Sequence, residues 1–158
     1  MNDRHASVHR VLLGPPVRFV ATCHRSRTLK TFRVENVMQA RLDTKERYRA
    51  IDDSQVEAYV RESLDGFHEG GKPVELSFLV SNPDARWVKK NLLPGMVAES
   101  TEDGIRVTTR TAALRRLARF VVQLGGAATP ESPSLAKEVS ELARGALAAI
   151  EAATRSSD

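Results

Sequence analysis

Apolar and polar positions alternate along the first forty residues of the chain and then change period. Val8–Leu13 and Val17–His24 are rich in β-forming side chains. Gly14-Pro15-Pro16 between them cannot continue a ladder, so the pattern predicts two strands joined by a turn. A third strand is predicted from about Leu29 to Leu42. Within Thr31-Phe32-Arg33-Val34-Glu35-Asn36-Val37 the two-residue period places Phe32 and Val34 on one face and Arg33 on the other. The period then becomes helical. Ser54 followed three residues later by Glu57 reads as a capping box, and Val56, Tyr59, Val60 and Leu64 share a stripe, which predicts a helix over about 54–64. Gly66 and Gly70-Gly71 punctuate its end, and the boundary between two small domains, 1–70 and 71–158, is read there.

The second half begins with an apolar strand, Val74–Val80, followed by a helix with Asn82 as its cap and Pro83 in its first turn. Trp87, Val88 and Leu92 are expected to point inward, and Pro94-Gly95 ends the helix. Met96–Ser100 and Ile105–Thr111 form a predicted hairpin around Glu102-Asp103-Gly104, in which Asp-Gly supplies positive φ. A helix over Ala112–Leu124 carries Leu114, Leu117, Val121 and Leu124 on one stripe, and Gly126–Glu131 has room for a short last strand. The order βαββαβ is that of a ferredoxin-like domain, so the fold class is α+β. Ser132-Pro133 opens a final helix to about Thr154, with Leu135, Val139, Leu142, Ala146 and Ile150 at helical spacing. Packing on its own sheet is favoured for it over a role as a partner helix.

Composition changes this picture through charge. The 158 residues are 41% apolar and 28% charged, which suits a folded globular chain, with a net charge of only +4. That charge is segregated. Residues 1–34 carry seven basic side chains against one acidic, 35–75 six against ten, and 76–158 eleven against nine. From Arg4 to Val34 there are seven Lys or Arg and three His without any Asp or Glu. A basic surface on β-structure suits a polyanion, with nucleic acid ahead of a membrane surface; a merely solvated basic face is the alternative. The single cysteine, Cys23, excludes an internal disulfide and a Cys-based zinc site and suits a reducing, cytoplasmic setting. No run approaches the ~20 apolar residues of a membrane span, and Met1–Arg10 has no signal-peptide core.

Successive phosphates lie about 6–7 Å apart, the spacing of alternate residues on one strand face. Arg25 and Arg27 have that two-residue separation, although Ser26 and a turn-like context also suit a loop. His9 and His24, with His5, lack the paired spacing of metal ligands and read as hydrogen-bonding residues that join Arg10 on the basic face. Phe19, Phe32, Phe67 and Tyr48 are assigned to the core, so binding is expected to be mainly electrostatic. Arg115, Arg116 and Arg119 cluster on one helix face and suit either a solvated surface or a recognition helix. No nucleophile with a base at motif spacing, phosphate loop or metal-ligand pair is present; no enzyme activity, cofactor or metal is expected, and Asp52-Asp53 reads as a helix entry.

The segments resemble the carboxy-terminal half of bacterial WYL-domain transcription regulators. Val17-Arg18-Phe19-Val20-Ala21-Thr22-Cys23 stands where that family has Trp-Tyr-Leu followed by Val-Ala. Thr31-Phe32-Arg33-Val34-Glu35-Asn36-Val37 is similar to its Thr-Phe-Arg-Leu-Asp-Arg-Ile, and Val8-His9-Arg10 to its Val-His-Pro. The family's accessory ferredoxin-like domain, WCX, is similar to residues 74–153 in element order and in Ala85-Arg86-Trp87-Val88. The name-giving triplet is here Val17-Arg18-Phe19, and the family's second arginine is Asn36. The resemblance implies a partial Sm-like β-barrel that senses a nucleic-acid effector, single-stranded DNA foremost, and signals through a homodimer or a heterodimer with a related regulator. It assigns effector contact to Arg33, the alternative being an ion pair with Glu35 or an acid of 52–69. Arg18, at the tyrosine-like position, suits base stacking or a plain edge role. The family's winged helix-turn-helix and first barrel strand have no counterpart in this sequence, so duplex DNA is expected to be read by a partner or by a segment of a longer protein.

Overall fold

The computed structural model describes residues 3–155. Near the start of the chain, β1 (Ala6–Leu12), β2 (Arg18–Cys23) and β3 (Thr28–Arg33) form an antiparallel sheet in the order β1-β2-β3. Register places Arg18 opposite Arg33, Phe19 opposite Phe32 and Val20 opposite Thr31. Paired residues share a face, so Arg18 and Arg33 lie side by side, while Phe19 stacks on Phe32 across the other face with ring centroids 5.2 Å apart. A bulge between Val8 and Arg10 makes His9 the extra residue of β1.

The third strand stops at Arg33 rather than continuing to Leu42. The Val34 amide bonds the Val17 carbonyl, after which Val34–Asn36 make one 3-10 turn. Beyond Val17 the neighbouring chain is Pro15-Pro16, which has no amide to extend a ladder. Met38 and Leu42 consequently stand almost fully exposed. The next helix, α1 (Asp53–Glu62), starts one residue before Ser54; its cap position is Asp52, and no side chain bonds there, so the expected capping box is absent. Val56 and Leu64 are buried as their spacing requires.

The chain divides into two compact units between His68 and Glu69. The second contains β4 (Val74–Ser81), α2 (Asp84–Lys90), β5 (Met96–Ser100), β6 (Gly104–Thr111), α3 (Leu114–Val122), β7 (Ala128–Pro130) and α4 (Pro133–Arg155). Its antiparallel sheet runs β5-β6-β4-β7. Alternation buries Leu76, Phe78 and Val80 of β4 with Ile105, Val107, Thr109 and Thr111 of β6. Phe78 meets Phe120 of α3 edge to face.

Three local expectations change here. Pro83, not Asn82, holds the cap position of α2. In that seven-residue helix Ala85 and Val88 define the buried stripe, which leaves Trp87, a third of a turn away, half exposed. Gly104 is not at positive φ; its requirement is space, because a Cβ there would collide with the Val80 carbonyl. The start of α3 is capped from a distance by Glu69, whose Oε1 accepts the Arg115 and Arg116 amides at 2.9 and 3.3 Å. Among the described residues no helix is long and apolar enough to cross a membrane.

Candidate nucleic-acid interface

At the open end of the β2–β3 pair lies a cleft of about 310 Å³ lined by Arg18, Thr31, Phe32, Arg33, Asn36 and Val37 from the sheet side and by Asp65, Gly66 and Phe67 from the turn after α1. Arg18 Nη2 donates to Asp65 Oδ1 at 2.9 Å, and both side chains are largely withdrawn from water. Asp65 takes φ of 50° and Gly66 φ of 75°, and this left-handed pair turns the chain back so that Gly66 packs against the Arg18 guanidinium. Arg33 is more open and reaches Glu35 Oε1 at 3.3 Å, an exposed pair that water screens strongly. Phe67, 43% exposed, puts an aromatic surface into the cleft wall, contrary to the core position expected of it.

The other end of the same hairpin is about 17 Å away, taking ~3.4 Å per strand residue from Arg18 to Cys23. There Arg25 and Arg27 belong to a tight turn, with Arg27 at φ of 55°, so they project from a loop and not from alternate positions on a strand. Arg4 approaches the Cys23 sulfur at 4.0 Å and Arg49 the His24 carbonyl at 3.5 Å, which adds two guanidinium groups to this end. The Ser26 amide foremost, with the Ser26 hydroxyl, the Arg25 amide and Arg4, holds the Cys23 thiol down at about 7 against the opposing effect of burial. Among the described residues Arg10, Arg25, Arg27 and Lys30 make no ion pair. The acid-free stretch thus holds two kinds of cation: Arg18 and Arg33, neutralised beside a cleft, and a group without acidic partners on the strands and the distal turn.

Among solved structures the chain is similar to proteasome accessory factor B/C (PafBC) of Arthrobacter aurescens, with a TM-score of 0.36 and 22% identity over 87% of this chain and 21% of that one. The chain therefore spans about a fifth of the length of that protein. No protein-family model matches it. No curated protein matches it.

His9 and His24 are engaged inside the first unit. Tyr48 donates its hydroxyl to the Val8 carbonyl at 3.2 Å, so its oxygen accepts from His9 Nδ1 at 2.8 Å, and His9 Nε2 is left to accept from Thr22 Oγ1 at 2.7 Å. Burial lowers the His9 pKa, against the weaker pull of Asp53. His24 Nε2 lies 2.8 Å from Ser7 Oγ, and its buried Nδ1 stands 3.5 Å from Glu46 Oε2 without a hydrogen bond. With His5 3.2 Å from Asp43, three histidines on or beside the sheet, His5, His24 and His9, face Asp43, Glu46 and Tyr48 of the irregular segment 43–48 and hold it as a strap. The Arg49 amide, donating to Ser7 Oγ, closes the strap. Tyr48 itself is 61% exposed, not core. In the second unit Arg115 lies 3.6 Å from Glu138 and Arg119 is exposed. Among the described residues no cluster of three or more His, Cys, Asp or Glu is arranged to hold a metal ion.

Asp65 escaped the sequence reading, which used Gly66 only as a helix stop and placed Phe67 in the core. The one available signal was Asp-Gly immediately before an aromatic, a turn that presents a ring.

Proposed function

We propose that this chain is the effector-sensing module of a WYL-type transcription regulator that binds a short single-stranded nucleic acid, with DNA favoured over RNA. The observation that carries the reading is the pairing of an aromatic cleft flanked by Arg18 and Arg33 with cations on the same sheet and its turn, Arg10, Lys30, Arg25 and Arg27, that have no ion-pair partner among the described residues. Phe67 offers its exposed ring to a base, and base stacking is worth about 1–3 kcal/mol and tolerates any sequence. Arg33 exchanges its screened contact with Glu35 for a phosphate or base edge, which a guanidinium fork grips with two donors. Arg25 and Arg27 take the backbone further along, and His9 and His24 position the strands beneath. The partial Sm-like barrel and ferredoxin-like domain of the WYL resemblance supply the architecture for this reading, and the sheet order β5-β6-β4-β7 supports the second of them. Binding would be reported to a DNA-reading module outside these residues.

The test is a fluorescence-anisotropy titration of a labelled oligonucleotide, comparing single-stranded DNA, RNA and duplex across salt. Affinity should fall steeply with salt and again in Arg33→Ala and Arg27→Ala. Salt-insensitive or absent binding refutes the proposal. A second reading, an interaction module that pairs with a full-length regulator without ligand, is favoured by the uncovered half of α4, and its complex should survive both substitutions.

A further inference from the structure

A fork of donors and a carboxylate share the walls of the cleft in the first unit. Arg33 presents its planar guanidinium from the sheet side, and its contact with Glu35 is a single exposed one of 3.3 Å. Asp65 presents its carboxylate from the turn after α1, and that position is fixed twice. The left-handed Asp65–Gly66 backbone sets its direction, and Arg18 donates to Oδ1 at 2.9 Å. A carboxylate accepts at about four lone-pair positions over its two oxygens, so the Arg18 bond does not exhaust it. Arg18 and Arg33 are register partners, and the Cα atoms of such a pair lie about 5 Å apart. The carboxylate at the tip of Arg18 and the fork of Arg33 therefore bracket a space about one base wide. Phe67 adds a half-exposed ring to the same wall. The volume of about 310 Å³ is at the low end of the ~300–1,000 Å³ of small-ligand sites, room for one nucleotide and not for a run of stacked bases.

We propose that this cleft reads a single unpaired guanine in the effector strand. The assignment rests on the effector reading and narrows it to one base. Guanine alone among the common bases offers an acceptor pair and a donor pair together, O6 with N7 on one edge and N1–H with N2–H on the next. Arg33 meets the acceptor pair with two parallel N–H bonds, and Asp65 accepts from the donor pair. Adenine never sets two acceptors or two donors side by side. Cytosine has an acceptor pair but a lone amine, and thymine holds its one N–H between two oxygens. Each leaves a wall of the cleft partly unmatched, which discriminates more strongly than a made bond attracts. Phe67 stacks on the base plane without regard to its identity.

Anisotropy competition on the full chain tests the proposal, using a short single-stranded thymidylate DNA that carries one central guanine, adenine or cytosine. The guanine strand should bind about tenfold more tightly than the others, as one good bidentate contact provides. Two analogues locate the contacts on the unaltered protein: 7-deazaguanine lacks the N7 acceptor that faces Arg33, and hypoxanthine lacks the amine that faces Asp65. Each should lose most of the advantage. In Arg33→Lys, which keeps the charge but not the fork, 7-deazaguanine should bind as well as guanine. In Asp65→Asn the gap between guanine and hypoxanthine should close. Because the analogues need no substitution, the proposal is decided even where a variant fails to fold. Equal binding whatever the central base overturns the guanine assignment and leaves the effector reading standing, as does a guanine preference that neither analogue reduces. Absence of binding to every strand overturns both.

Discussion

Gly66 is constrained by Arg18 as well as by its own backbone. A Cβ at this position would lie 2.9 Å from Arg18 Cδ, and φ of 75° is strained for any L side chain. Gly66→Ala is therefore expected to cost about 1–2 kcal/mol from backbone strain alone and to push Arg18 away from Asp65, measured as a lowered midpoint of urea unfolding. Asp65→Asn separates geometry from charge. Asparagine accepts the left-handed conformation and keeps an acceptor for Arg18, but it removes the countercharge from a largely buried pair, with an expected loss of about 1 kcal/mol. The same change leaves Arg18 positive beside the cleft, so oligonucleotide affinity should rise at low salt; an unchanged anisotropy-derived affinity would show that the Arg18 charge has no part in binding. Alternation along β3 was enough to expose Arg33 in the sequence. Asp65 was not legible as its neighbour's partner, because the contact closes over 47 positions and no local period encodes it.

The strap over 43–48 ties one element to another through titratable groups. His9 has its pKa lowered by burial, so the unfolded chain binds its proton more readily than the folded one. The stability it contributes is present above its ordinary value of about 6.5 and is lost as pH falls through the lower folded value. Asp43 is also lowered, first by the Lys45 amide and then by the Glu46 amide and His5, so its contribution fades only in more acidic solution. His5 and His24 face Asp43 and Glu46 at 3.2 and 3.5 Å, but three of these four side chains are well exposed, so water screens both pairs. His9 therefore sets the sign as the solution is acidified below about 6.5. Amide exchange at 47–49, corrected for intrinsic rates, should accelerate on acidification, and Tyr48→Phe should produce the faster exchange already at neutral pH. Equal protection at both pH values would remove His9 from the strap's control. The sequence could not announce this element, since segment 43–52 has no period to read. Where a period existed, elements were found and their ends missed: β3 stopped where Pro15-Pro16 ran out of amides, and α1 began without the Ser54–Glu57 box. The last helix was traced to within one residue, yet half of its repeating apolar stripe meets no sheet, because periodicity marks a face without naming what covers it.

At the scale of the whole chain, stability is divided unevenly between the two units. Among the described residues, five of the buried apolar ones lie in the first (Val20, Ala21, Cys23, Val56 and Leu64) and fifteen in the second, although the units differ far less in length. Burial supplies about 25 cal/mol per Å² of apolar surface, so the first unit has much less to set against the entropy of ordering its chain. Calorimetry should accordingly resolve two transitions, the lower belonging to the unit that carries the cleft. Gly104→Ala, which drives a methyl into the Val80 carbonyl, should lower only the upper one, by about 1–3 kcal/mol. A ligand that binds only the folded form stabilises it by RT ln(1 + [L]/Kd), about 2.7 kcal/mol at a hundredfold excess over Kd. If the nucleic-acid effector docks on the β2–β3 hairpin, saturating oligonucleotide should raise the lower transition and leave the upper one in place. The rise should shrink with salt as counterions compete, and in Arg25→Ala/Arg27→Ala the slope of log affinity against log salt should flatten by about 0.7 for each phosphate contact removed. A shift of the upper transition alone would move the binding surface to the second unit, where Arg115, Arg116 and Arg119 stand on α3, and would overturn the assignment to the hairpin.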